Sequence, residues 1–346
     1  MLRIGPHNIG WNENPFIIAE IGVNHDGSPA QALALVEAAA RAGASAVKFQ
    51  YFETHRLLSG ASQLADYQRN SGETEPQTML RRLELSLEAL ASASVRARQL
   101  GLAAIVTVFS VELVAGAQSL RWDAYKAASP DIVNHPLLAA MQGTGKPLIV
   151  STGAATAEEI QCALADYGHA ALHCVSAYPT PEEKAQLGGI DALRRLIDRL
   201  GRSSVVVGYS DHTGALDTGA LAVASGACIL EKHLTYDRSA TGPDHAASVD
   251  ESGFTQYVRL AQRARRMRGE REVVVQAIEE NVRTVSRQSL IAVRDLAAGR
   301  VIKADDLTIK RPGTGIGPKH LGAVIGRRMA RNVSADEPIT WKDLAA

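Results

Sequence analysis

Short apolar runs recur along the first three-quarters of the chain, and amphipathic stretches of helical period fill most of the gaps between them. The runs at 16–22, 46–50, 103–109, 124–129, 147–152, 171–177, 205–211 and 228–234 each read as a buried strand. Intervening segments such as PAQALALVEAAARAG and ALRRLIDRLG read as helices, the second placing Leu193, Leu196, Ile197 and Leu200 on one face. Eight strand–helix alternations predict an α/β fold of the closed parallel (β/α)8 kind, a TIM barrel, because right-handed crossovers stack every helix outside. An open doubly wound sheet would carry G-x-G-x-x-G after its first strand, and EIGVNHDG lacks that pattern.

The ends of the chain read differently. Residues 1–15 predict a hairpin that plugs the N-terminal end of the barrel, and a long polar helix follows the eighth strand to about residue 269. The barrel domain is therefore expected over 1–272, a charged linker over 273–285 and a small β module over 286–346. That module contains an echo: DLAAGRVI from Asp295 to Ile302 with Asp306-Leu307 matches NVSADEPI from Asn332 to Ile339 with Asp343-Leu344. The offset is a constant 37 residues. Two such halves predict a pseudo-twofold arrangement.

Composition narrows the function. Lys and Arg number 37 and Asp and Glu 37, so no polyanion such as nucleic acid is expected as partner. The opening MLRIGPHNIGWNENP lacks a signal peptide's apolar stretch, and the later apolar run at 214–230 is interrupted by Asp217, so no membrane span is expected. Cys162, Cys174 and Cys228 are odd in number and widely spaced, and read as reduced packing residues of a cytoplasmic protein.

Charge inside the strand runs is the informative signal. Functional side chains of such barrels sit where strands end, at the C-terminal face. Glu20 interrupts IIAEIG. Lys48 and Gln50 share one face of AVKFQ, and Lys126 lies in AYKAAS. Ser210 and His212 share a face at the end of VVVGYSD, as Glu231 and His233 do in ILEKHL. One buried charge would pass for an ordinary ion pair, but several at one rim need a ligand to make sense of their desolvation. His212 and His233 end consecutive strands and read as a pair of metal ligands; two imidazoles with oxygen donors suit Mn²⁺, Mg²⁺ or Co²⁺ better than structural zinc. Asp211 and Glu231 are then candidates to orient them. Lys48, Lys126, Ser129, Ser151 and Ser210 form a set of cations and hydroxyls suited to an anion bearing phosphate and carboxylate, with backbone N–H groups of Ser151-Thr152-Gly153 ahead of a helix adding to it.

The segments IIAEIGVNHDGS, AVKFQ, ADYQRNSGETEPQTMLRRLELS, PLIVSTG, LHCVSAYPTP, VVVGYSDHT, ILEKHLT with GPDHAAS, and KRPGTGIGP occur in an order and spacing that resemble the bacterial sialic acid (N-acetylneuraminate) synthases over essentially the whole chain. The C-terminal part resembles that family's antifreeze-like (SAF) domain, a β-clip. The resemblance implies condensation of phosphoenolpyruvate with N-acetylmannosamine and water to give N-acetylneuraminate and phosphate, by C–O cleavage. It implies a divalent metal, Mn²⁺ foremost, on His212 and His233, with Glu20 as general base or as the group orienting a metal-bound water, and Asp131 as acid/base helper. Lys48, Thr107, Lys126, Ser129, Ser151, Ser176 and Ser210 match positions around phosphoenolpyruvate, and Gln50, Tyr178 and Asp244 match positions around the sugar or the metal. Arg311 matches an arginine that the SAF domain extends into the partner subunit's barrel in a domain-swapped homodimer.

Departures from the family pattern bear mostly on the acceptor. Lys126 is followed by Ala-Ala-Ser-Pro-Asp where the family has Ser-Gly-Glu or Ser-Gly-Asp, Thr107-Val108-Phe109 replaces Thr-Pro-Phe, Ser176 stands where some members have Asn, and Arg287-Gln288 where some have an aromatic. A legionaminic acid synthase taking a 2,4-diacetamido-trideoxy-hexose is the nearest alternative, ahead of a pseudaminic acid synthase. A non-catalytic sugar-binding scaffold is the alternative from another class.

Overall fold

The computed structural model describes residues 1–345, so Ala346, the last residue of the expected β module, lies outside it. Two short strands, β1 (Leu2–Ile4) and β2 (His7–Ile9), pair antiparallel as the expected hairpin. Eight strands follow: β3 (Phe16–Gly22), β4 (Ala46–Tyr51), β5 (Ala103–Val108), β6 (Ala124–Ala127), β7 (Leu148–Ser151), β8 (Ala170–Cys174), β9 (Val206–Asp211) and β10 (Ile229–His233). Each is parallel to its neighbours, and β10 pairs with β3 to close the barrel. Several strands stop short of the expected ends. Ser129 falls outside β6 and opens a 3-10 turn at Ser129–Val133, where Pro130 cannot donate to the ladder, and Ser176 lies past the end of β8.

Side-chain alternation sorts each strand into two environments. Ile18, Ile105, Ile149, Leu172 and Ile229 fill the lower barrel together with Leu2, Ile4 and Ile9 of the hairpin, so the N-terminal mouth is sealed by apolar packing. Ile17, Val47, Phe49, Val106 and Tyr209 face outward against helix residues such as Leu35, Val36, Leu90, Leu193 and Phe254. The seal at one end leaves the other as the open mouth.

Behind β9 and β10 lies a fully buried ion pair. Asp211 and Lys232 occupy paired register positions, with Oδ2 3.2 Å from Nζ and neither side chain exposed. Lys232 also donates to the Thr213 carbonyl and lies 5.5 Å from the centre of the Tyr257 ring, while Asp211 accepts from the Thr213 backbone and hydroxyl. Asp211 therefore anchors the turn after β9 and faces away from the histidines it was expected to orient. Lys232→Met strands the aspartate in an apolar layer, and a loss of about 3–5 kcal/mol in stability is expected by urea denaturation.

The chain divides into two compact units, Met1–Glu270 and a second beginning at Arg271. Part of the expected linker is helical in the second unit, over Glu280–Ser286. There β11 (Ser289–Ala292) and β12 (Leu307–Lys310) pair antiparallel over a core of Leu290, Leu296, Ile302, Val324, Val333 and Ile339. The sequence echo is visible as structure. Leu296 and Val333, equivalent under the offset, bridge each other, and the 3-10 turns Ala304–Asp306 and Trp341–Asp343 coincide under it. Asp306 accepts from the Lys303 backbone at 3.0 Å and Asp343 from that of Thr340 at 2.7 Å, so each half is capped alike.

Candidate active site

The open mouth gathers the charged residues that interrupt the strands. Glu20 and Lys48 are register partners on β3 and β4 beside a register shift at the end of β3, and their side chains meet at 2.8 Å. Gln50 donates to the same Glu20 oxygen at 2.9 Å, and Lys48 donates to Thr107 Oγ at 3.2 Å. Lys126 on β6 donates to Ser151 Oγ on β7 at 2.7 Å and lies 3.5 Å from Glu231, which accepts from Ser210 Oγ at 3.0 Å. The two lysines and two glutamates are all at most 4% exposed. Glu20 Oε2 and Glu231 Oε2 are buried and accept no hydrogen bond from a protein group, Glu231 Oε2 keeping only its ion pair with Lys126.

Electrostatics separates their roles. Burial and the Lys126 and Lys48 charges act oppositely on Glu231, and the lysines win, holding it at about 2. Burial raises Glu20, with Lys48 opposing. For Lys48, burial is outweighed by Glu20 and Glu231, and the ammonium is held; for Lys126 burial wins and lowers it. Asp244 is pushed up to about 7, by burial first and Glu20 second.

A cradle of hydroxyls lies beside Lys126. The Gly153 N–H donates to Ser129 Oγ at 3.1 Å, and Cys174 Sγ lies 3.2 Å from the same oxygen. A Cβ at Gly153 would stand 2.3 Å from Ser176 Oγ, 2.7 Å from Cys174 Sγ and 2.8 Å from Ser129 Oγ, so only glycine keeps this concavity open. Cys174 and Cys228 are free and buried, as expected, with Cys174 packed against the cradle; Cys162 is exposed and departs from the expected packing role.

The histidines, at the ends of the neighbouring strands β9 and β10, lie side by side at the mouth with ring centres 5.6 Å apart. Tyr178 lies over His212 at 4.2 Å and is in turn covered by Tyr67 at 4.9 Å. His212 Nδ1 is 2.8 Å from the Val175 carbonyl, which can only accept, so Nδ1 carries the proton and Nε2 offers its lone pair. Burial lowers the pKa of His212 and, with His212 as second cause, that of His233, so both are neutral bases near pH 7. His233 Nδ1 has no hydrogen-bond partner and lies 3.5 Å from Asp244. Among the described residues no three His, Cys, Asp or Glu side chains form a complete metal-binding set. Two neutral imidazoles with a carboxylate nearby nevertheless fit a divalent cation whose other positions go to water or substrate.

One cavity is lined by Glu20, Lys48, Gln50, Lys126, Ser129, Ser151, Tyr178, Ser210, His212, His233 and Asp244. Thr107 stands behind Lys48 and Ser176 behind Gly153. Asp131 lies one residue beyond the lining Pro130. Burial raises its carboxyl to about 6 against the opposing pull of Lys126. Ionisation is then disfavoured in the fold, so stability declines as pH rises from about 4 through 6. Asp131→Asn is expected to gain about 1–2 kcal/mol at pH 7.5 and nothing at pH 4, checked by thermal melts at both. Arg311 is exposed on the second unit.

Glu231, Gly153 and Cys174 complete the site, as do Tyr67, Gln68, Met79, Leu80 and Leu83 from the excursion between β4 and the helix Leu87–Gln99. Glu231 was readable from its shared face with His233. The excursion was not, because its short helices reach the cavity only through tertiary packing.

A closed barrel with ionic residues and paired imidazoles at one mouth defines an enzyme site of the sialic-acid-synthase type, and the chain belongs to the NeuB family, whose model matches residues 35–273, followed by an SAF domain at 287–345. It is 37% identical over 343 residues to the N,N'-diacetyllegionaminic acid synthase of Legionella pneumophila, covering 96% of this chain and 95% of that one. The synthase of the same name from Campylobacter jejuni is 32% identical, covering 93% and 98%. Among solved structures, the N-acetylneuraminic acid synthetase of Leptospira borgpetersenii superposes with a TM-score of 0.72 at 30% identity, covering 81% of this chain and 94% of that one.

Proposed function

We propose that this enzyme condenses phosphoenolpyruvate and water with the open-chain aldehyde of N-acetylmannosamine, giving N-acetylneuraminate and phosphate. The observation that carries the reading is the cradle of Ser129, Ser151 and the Gly153 N–H beside buried Lys126, opening onto the two neutral histidines. Lys126 and the hydroxyls hold the phosphate through charge-assisted bonds, with Ser176 and Ser210 at its edges, and Lys48 with Thr107 holds the carboxylate end. Glu20 is the easier of the two glutamates to protonate, so it accepts the proton of the attacking water while Glu231 stays ionised and keeps the lysines in place. Asp131, coupled to the Lys126 charge, is the acid/base helper at the phosphate end. Gln50, Tyr178 and Asp244 face the sugar.

His212 and His233 would hold a divalent cation, Mn²⁺ first and Mg²⁺ or Co²⁺ next. When bound, it supplies Lewis-acid polarisation of the aldehyde carbonyl. Arg311 of a partner subunit would close the sugar side in a domain-swapped homodimer. No described helix is long and apolar enough to cross a membrane, and we assign the enzyme to the cytoplasm.

A second acceptor has support of its own. Val23, Met79, Leu80, Leu83 and Phe109 make one side of the cavity apolar, which suits the methyl and acetamido groups of a 2,4-diacetamido-trideoxy-hexose, and a relative 37% identical is named for legionaminic acid. Phosphate release from phosphoenolpyruvate, measured with Mn²⁺ and each sugar in turn, separates the readings. Release that depends on N-acetylmannosamine is the expected result; a higher kcat/KM with the diacetamido sugar reassigns the acceptor. No release with any N-acetylated hexosamine leaves only the sugar-binding scaffold.

A further inference from the structure

Asp244 belongs to a loop that leaves β10 after His233 and returns where Val249 bridges Leu234. Backbone bonds close the base of this loop: Thr235 N donates to Val249 O at 2.9 Å and Val249 N to His233 O at 3.0 Å. Nearer Asp244 the backbone bonds are local turns, such as Ala247 N to Asp244 O and Ser248 N to His245 O, which shape the loop without anchoring it. The anchors are side chains. Ser248 Oγ donates to Asp244 O at 2.6 Å and accepts from Asn24 Nδ2 at 2.8 Å. His245, the next residue along from Asp244, is 1% exposed and held at both ring nitrogens. Nδ1 lies 2.7 Å from Thr235 Oγ and Nε2 donates to Asp26 Oδ1 at 3.1 Å. Tyr236 donates to the other Asp26 oxygen at 2.7 Å.

Two features mark this as a built connection. Asp26 holds φ +53°, a left-handed conformation that favours glycine and that aspartate adopts where its side chain is held locally. A Cβ at Gly242 would lie 2.7 Å from the His245 ring, so the turn is open only for this ring to pack there. The Asp244 carboxylate meets His233 at 3.5 Å, longer than a hydrogen bond. Its direction is therefore set by how its backbone is held.

We propose that Asp26 and His245 are positioning residues: their bond ties the loop after β10 to the loop after β3 and thereby aims Asp244 at the acceptor side of the cavity. This rests on Asp244 facing the sugar in the proposed reaction. Asp26→Asn is the clean probe, because asparagine accepts the left-handed backbone while it removes the charge and leaves one accepting oxygen for two donors, His245 Nε2 and the Tyr236 hydroxyl. Asp26→Asn and His245→Ala are expected to raise the acceptor KM about tenfold, as removal of an orienting partner does, with the phosphoenolpyruvate KM unchanged. His245→Gln, whose amide still donates to Asp26, recovers most of the loss. In an Asp244→Ala background Asp26→Asn adds nothing further. An equal loss in both backgrounds, or a matching rise in the phosphoenolpyruvate KM, overturns the proposal. Should the wild type turn over no substrate, the proposed reaction fails and the positioning claim is still read from the His233 ring ¹H–¹⁵N signals. Asp26→Asn and Asp244→Ala are expected to shift them alike, and signals unmoved by Asp26→Asn overturn it.

Discussion

His212→Ala is expected to lower turnover by at least about 10²- to 10³-fold and to abolish Mn²⁺ binding while the barrel stays folded. The Val175 carbonyl fixes the proton on Nδ1 and leaves Nε2 with a free lone pair, 3.4 Å from Ser210 Oγ, in a ring centred 5.6 Å from that of His233. Tyr178 packs over the ring at 4.2 Å and allows it little freedom to turn, so no water left in the alanine's place restores the same donor in the same direction. Circular dichroism and a melt check the fold, and a Mn²⁺ titration checks the loss of the ligand. Full activity of the wild type in EDTA would remove the metal from the scheme, whatever the variant did.

Gly153→Ala is expected to raise the phosphoenolpyruvate KM about 10²-fold, because a displacement near 1 Å at a reacting anion costs that much. The added methyl meets Ser176, Cys174 and Ser129 together. One serine hydroxyl can rotate away cheaply, but three neighbours converging on one methyl cannot all do so, and Ser129 would give up the Gly153 N–H. Overpacking should cost about 1–3 kcal/mol in stability, which a melt will register without loss of fold. An acceptor KM that rises as much as that of phosphoenolpyruvate would show that the cradle seats something other than phosphate.

Much of this site was legible because a strand has a period of two. Once Ile18, Ile105 and Ile149 are placed inside the barrel, Glu20, Thr107 and Ser151 must follow them at the mouth, and Ser210 with His212 and Glu231 with His233 obey the same rule. The same period places Asp211 on the outer face, where it pairs with Lys232 and cannot reach the histidines to orient them. The hairpin and the 37-residue echo were also legible, since local turn chemistry fixes both. What could not be read depends on contacts between distant segments. Asp26 and His245 are 219 residues apart, and neither sits in a periodic run that marks it. Tyr67, Gln68 and Met79 come from short helices whose approach to the cavity is decided by packing alone. Strand ends differ for a physical reason too: Ala128 and Ser129, ahead of Pro130, and the residues after Cys174 leave the ladder before the apolar pattern stops.

A crystal structure of the protein soaked with Mn²⁺ and phosphoenolpyruvate tests most directly whether the barrel mouth is built around that anion and a bis-histidine cation. An anomalous manganese peak bonded to His212 Nε2 and His233, with the phosphate bound by Lys126, Ser129, Ser151 and the Gly153 N–H, is the expected result. Phosphoenolpyruvate bound elsewhere, or manganese absent from both histidines, would contradict it.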